Sequence, residues 1–239
     1  MAIKTRSVEY YDGDTLLEAY IAFDDRYNTP RPGVLVSHAW VGRDVLFCQK
    51  AEALAALGYV GFALDMYGKN IRGQSPAENA ALMQPFISDR SLLQRRISLA
   101  LSTLKQQAEV DEHKTAALGY CFGGMCVLDL ARSGATVDGV ICTHGLLSAP
   151  QNISTNSTAK ILILHGDQDP LSPLSQVMQL SEELKTANAD WQIHIYSNTQ
   201  HAFTNPAANA PQNGMQYNSI AAERAWQSTQ NFLTEIFSA

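Results

Sequence analysis

Apolar residues cluster along the chain in two alternating manners. In Gly33-Val34-Leu35-Val36-Ser37-His38 they stand side by side without alternation, the mark of a strand covered on both faces. At 44–57 the spacing becomes helical, through Val45, Cys48, Ala51, Leu54 and Ala55, and Gly58 ends the run. The exchange then repeats. Short buried strands are predicted at 59–64, 115–118, 139–143, 161–164 and 191–196, and helices at 76–85, 89–107, 123–132, 173–187 and 215–236. Two strands at 5–11 and 16–22 come first, joined through Asp12-Gly13-Asp14, where Asp-Gly favours a tight hairpin. Two stretches rich in small and polar residues, 152–158 and 205–213, read as surface loops.

Buried strands alternating with helices imply an α/β fold: a mostly parallel central sheet, helices on both faces, and an antiparallel N-terminal hairpin at one edge. No repeat or linker divides the pattern, so residues 1–239 are expected to form one domain.

Composition narrows the chemistry. The apolar share of 46% and charged share of 17% are those of an ordinary globular chain. A chain of 239 residues can build a core without disulfides or metal. The net charge is −6, and Lys and Arg never form a run, which argues against nucleic acid as a partner. The N-terminus lacks the apolar core of a secretory signal. No stretch approaches the roughly 20 apolar residues of a membrane span. Cys48, Cys121, Cys126 and Cys142 show neither disulfide nor metal-ligand spacing, which suits a reducing cytoplasm. The histidines form no His-x-x-x-His pair, and no Gly-x-Gly-x-x-Gly follows an early strand, so no metal or nucleotide cofactor is expected.

In sheets of this kind, ligands bind beyond the C-terminal ends of the strands. Four such places carry suggestive residues. Gly119-Tyr120-Cys121-Phe122-Gly123-Gly124 lies between a buried strand and an apolar helix. This is the Gly-x-nucleophile-x-Gly elbow with a thiol as nucleophile, and the glycines admit a turn that larger side chains would block. A helix N-terminus also favours thiolate. Leu164-His165-Gly166-Asp167-Gln168-Asp169 offers two carboxylates, Asp167 and Asp169, that could orient an imidazole. His201 follows the last strand, while His38, His144 and His165 end earlier ones. Of these four, only His201 comes after both nucleophile and acid, in the order Ser/Cys, Asp, His of an α/β-hydrolase. His38-Ala39-Trp40-Val41-Gly42 follows the first parallel strand. The loop there usually supplies one oxyanion donor and the residue after the nucleophile the other. That points to the backbone N–H groups of Trp40 and Phe122, each contributing ~3 kcal/mol to the transition state.

These motifs, with Asp65-Met66-Tyr67-Gly68 after the second parallel strand and His201-Ala202-Phe203, resemble the dienelactone hydrolase family of α/β-hydrolases from about residue 30 to the C-terminus. The resemblance implies a Cys121–His201–Asp169 triad that hydrolyses small esters or lactones through an acyl-thioester, with no cofactor. It favours Asp169 over Asp167. Family members commonly carry a glutamate where Ala39 stands, and in dienelactone hydrolase that carboxylate takes part in gating the thiol. Tyr67, Tyr120 and Phe203, with Trp40, are expected to line an apolar pocket, and Arg43, Arg72 or Arg90 to meet a substrate carboxylate. The competing readings are a catalytically silent homologue that binds a small ligand or a partner protein, a thioesterase, and a peptidase-like acyl hydrolase. The sequence leaves monomer and dimer equally open.

Overall fold

A computed structural model describes residues 3–151 and 158–238. Eight strands form one sheet in the order β1-β2-β4-β3-β5-β6-β7-β8. They are β1 (Ile3–Asp12), β2 (Thr15–Asp24), β3 (Arg31–Ser37), β4 (Val60–Ala63), β5 (Val110–Tyr120), β6 (Gly139–Thr143), β7 (Lys160–Gly166) and β8 (Trp191–Tyr196). The β1–β2 and β2–β4 pairs are antiparallel, and every pair from β4 to β8 is parallel. The hairpin therefore caps one edge, as its Asp-Gly turn suggests.

Helices cover both faces. Helix α1 (Val45–Ala56) and the C-terminal α6 (Ser219–Ser238) bury Phe47, Leu54, Phe232 and Leu233 against one face. Helices α2 (Pro76–Ser88), α3 (Arg90–Lys105), α4 (Phe122–Arg132) and α5 (Leu174–Thr186) bury Phe86, Ile97, Leu128 and Leu180 against the other. Local chemistry sets several helix starts. Asp44 accepts from the Leu46 and Phe47 N–H groups, and Ser75 caps α2 just before Pro76. No helix of the described residues is long and apolar enough to cross a membrane.

Three segments differ from the sequence pattern. Strand β5 begins five residues before the expected 115, because Arg31 and Pro32 pair with Val110 and Asp111 before the register shifts. The polar residues of that first part conceal it. The expected helix start at 215 moves to Ser219, since Met215–Gln216 (β10) pairs with Asn209–Ala210 (β9) in a two-stranded ribbon. That ribbon also occupies part of the expected 205–213 loop. The loop expected at 152–158 lies, except for Thr158, outside the described residues.

Candidate active site

Cys121 stands between β5 and α4 with φ 55° and ψ −117°, a conformation that side chains rarely adopt. The surrounding backbone holds it there. The Cys121 N–H donates to the Thr143 carbonyl at 3.2 Å, and its carbonyl accepts from Gly124 and Leu146 at 2.9 and 3.2 Å. A Cβ on Gly119 would fall 2.0 Å from the Gly123 carbonyl oxygen, and one on Gly123 would fall 2.2 Å from that of Ser37. Both glycines are thus required by close backbone approach, the reason the elbow motif carries them. Cys121 as a whole is 9% exposed.

Asp169 sits in the turn after β7. Its Oδ1 accepts from the Leu171 and Ser172 N–H groups at 2.9 and 3.3 Å, which fixes the carboxylate. Its Oδ2 lies 2.7 Å from Nδ1 of His201. Asp167 instead accepts from the Thr199 N–H at 3.1 Å and steadies the backbone leading to His201. Of the two carboxylates, it is Asp169 that meets the imidazole.

His201 is 1% exposed and held by the small ribbon. Its N–H donates to the Gly214 carbonyl at 2.9 Å, and its carbonyl accepts from Gln216 at 3.1 Å. With Nδ1 engaged by Asp169, Nε2 is buried and makes no hydrogen bond among the described residues. Burial disfavours an imidazolium here, but the Cys121 sulfur beside the ring and the Asp169 carboxylate outweigh it, and the pKa is pushed up to about 10. The chain therefore holds an imidazole on a buried carboxylate, with a thiol beside the ring.

The two expected oxyanion donors lie on adjoining backbone. The Phe122 N–H opens α4, where no intrahelical acceptor exists. Among the described residues, neither it nor the Trp40 N–H finds a backbone carbonyl. Tyr67 stacks on Phe122, with centroids 5.9 Å apart and planes 21° apart, and its hydroxyl donates to the Trp40 carbonyl at 3.0 Å. Burial raises the Tyr67 pKa, so that hydroxyl remains a donor. Ala39 is partly buried against both apolar clusters.

Other expected substrate contacts are placed differently. Phe203 is fully buried between Tyr196 and His144, at centroid distances of 5.5 and 5.2 Å, and is a core residue. Tyr120 points to the opposite face of the sheet from Cys121, packing on Phe47 at 5.9 Å. The alternation of side chains along β5 turns it away. Arg90 donates to both oxygens of Asp129 at 2.7 and 2.6 Å and to the Ser148 carbonyl at 3.0 Å, so its charge is already paired. Arg43 is likewise committed to Glu18 at 2.7 Å. Arg72 is exposed and lines a surface cavity with Arg43, Asp44, Cys48 and Asp65, whose walls include none of Cys121, Asp169 and His201.

One neighbour of the imidazole was visible in the sequence only as another strand-end histidine. His144 packs edge-on against His201 with centroids 5.2 Å apart, and its Nε2 lies 2.8 Å from the Thr204 hydroxyl. Burial holds its pKa well below the usual value, so it stays neutral beside His201. No group of three or more His, Cys, Asp or Glu residues suited to a metal occurs among the described residues.

The profile of the Dienelactone hydrolase family matches residues 17–237. The chain belongs to the dienelactone hydrolase family. Within that family's fold, the solved structure named m3DLH is similar over 99% of both chains, with 31% identity and a TM-score of 0.94. A dienelactone hydrolase-like promiscuous phosphotriesterase from metagenomic libraries is similar over 99% of both chains, with 32% identity and a TM-score of 0.94. A Bradyrhizobium sp protein named "Probable 2-oxo-3-(5-oxofuran-2-ylidene)propanoate lactonase" is 27% identical over 98% of this chain and 96% of its own.

Proposed function

We propose that this member of the dienelactone hydrolase family hydrolyses carboxylic esters or lactones of small molecules through an acyl-thioester on Cys121. The reading rests chiefly on the buried His201–Asp169 pair, whose free Nε2 adjoins a thiol held on a positive-φ turn.

In this mechanism, His201 takes the proton of Cys121, and Asp169 accepts the Nδ1–H that keeps the ring oriented. The sulfur attacks the carbonyl carbon, and the oxyanion rests on the Phe122 and Trp40 N–H groups. Collapse breaks the bond to the alkoxide, which leaves with the proton from His201. In a lactone, that alcohol stays attached to the acyl group. His201 then deprotonates water, which attacks the thioester, and the carbon–sulfur bond breaks to restore Cys121. No step calls for a cofactor.

Phosphotriesters are a second substrate class, favoured by the 32% identical promiscuous phosphotriesterase. Turnover of short acyl esters, lactones and phosphotriesters by the parent and by Cys121→Ala tests the reading. Loss of ester and lactone hydrolysis in Cys121→Ala is expected, and parental turnover in that variant would overturn it.

A further inference from the structure

The loop that carries Trp40 is anchored by a buried histidine that the proposed reaction does not use. His38 is fully buried. Its Nε2 lies 3.1 Å from the Met66 N–H, and its Nδ1 lies 2.7 Å from the Ala39 carbonyl. A backbone N–H can only donate, so Nε2 accepts, and a neutral ring must then carry its proton on Nδ1 and donate it to Ala39. The two partners thereby choose the tautomer. Burial lowers the His38 pKa, which keeps the ring neutral and its Nε2 lone pair available.

The same Ala39 carbonyl also accepts from Gly42 at 3.2 Å. The described residues contain no cis peptide, so the Trp40 N–H points opposite that carbonyl across one planar unit. Two donors on the carbonyl therefore fix the direction of the N–H. This loop also bears on the elbow, since a Cβ on Gly123 would come within 2.2 Å of the Ser37 carbonyl and 2.7 Å of the His38 carbonyl. The His38 ring packs edge-on against Tyr67, with centroids 4.9 Å apart, and Tyr67 in turn holds the next carbonyl of the loop.

We infer that His38 is a positioning residue for the transition state, its imidazole clamping the Ala39–Trp40 peptide so that the Trp40 N–H is presented to the oxyanion. The inference rests on the reading of Trp40 as an oxyanion donor. It differs from a merely structural role in assigning the effect to one end of the ring.

Two substitutions separate the ends. His38→Asn places an amide nitrogen near Nδ1 and keeps a donor for Ala39, while His38→Gln reaches toward Nε2 and keeps a partner for Met66. Each loses one hydrogen bond. In ester hydrolysis, His38→Gln is expected to lose roughly 10- to 100-fold in kcat with little change in KM, part of the effect of losing a whole oxyanion donor. His38→Asn is expected to stay close to the parent. Alkylation of Cys121 by iodoacetamide, followed on the Cys121 peptide, should be unchanged in both, because it develops no carbonyl oxyanion. Equal kcat losses in the two variants, or alkylation that slows in step with kcat, would overturn the inference. Replacing the Ala39–Trp40 amide by an ester, with an α-hydroxy acid at position 40, removes the N–H and tests the donor reading separately. Parental kcat there means that Trp40 is not a donor. A large loss there, with Asn and Gln alike at position 38, leaves the donor in place and rejects the clamp.

Discussion

The imidazole of His201 donates through Nδ1 to Oδ2 of Asp169 across 2.7 Å, with both side chains withdrawn from solvent. Burial shields this bond from competing water and leaves Nε2 as the free end of the ring. Asp169→Asn keeps the shape but removes the charge that orients the ring, and it can leave the wrong nitrogen protonated. It is expected to lower kcat by about 10²–10⁴-fold. Asp167→Asn, which weakens only the bond to the Thr199 N–H, should cost far less. Steady-state ester hydrolysis by the two variants checks the contrast, and equal losses would move the orienting role to the turn as a whole.

The His201 pKa gives a dependence on pH. Burial lowers it, but Cys121 and Asp169 raise it to about 10. A folded value above the unfolded one, about 6.5, gives stabilisation that is complete below about pH 6.5 and lost as pH rises through about 10. Cys121→Ala removes the foremost of the raising influences. Its His201 ring should titrate at lower pH, and its melting temperature should fall less across that window. Ring resonances followed by NMR, with thermal melts at stepped pH, measure both.

Arg90 and Asp129 form part of a buried ion-pair cluster joining α3, α4 and α5. Arg132 also meets Asp129 at 3.2 Å and Glu183 at 2.7 Å. Asp129→Ala would leave two guanidinium groups without their shared carboxylate, at a cost of about 3–5 kcal/mol. Arg90→Ala should also destabilise the chain yet leave KM for small carboxylate-bearing esters unchanged. Chemical denaturation and steady-state kinetics on the two variants test this, and a raised KM in a stably folded Arg90→Ala would return Arg90 to the substrate site.

Much of this arrangement was legible in the sequence because it depends on local patterns. Unalternated runs such as Val34-Leu35-Val36 marked strands buried on both faces, and Gly119 and Gly123 marked the elbow. What escaped depends on contacts distant in sequence. The β9–β10 ribbon that holds His201 has two-residue strands, too short to show a period, and its bond to His201 spans a turn of the chain. Arg90 looked available because its partner Asp129 lies 39 residues away on another helix. Phe203 looked like a pocket wall because it follows His201 closely, whereas Ala202, at φ 57°, reverses the backbone between them and Phe203 enters the core. His38 showed in the sequence only as a strand-end histidine, since its two partners are a neighbouring carbonyl and an amide on the next strand's loop.

Whether Cys121 carries the acyl group is tested most directly by rapid quenching of ester turnover followed by intact-protein mass spectrometry. A single added acyl mass, located on the Cys121 peptide and absent from Cys121→Ala, is the predicted result. Turnover that proceeds with no adduct on Cys121, and at the parental rate in Cys121→Ala, would contradict it.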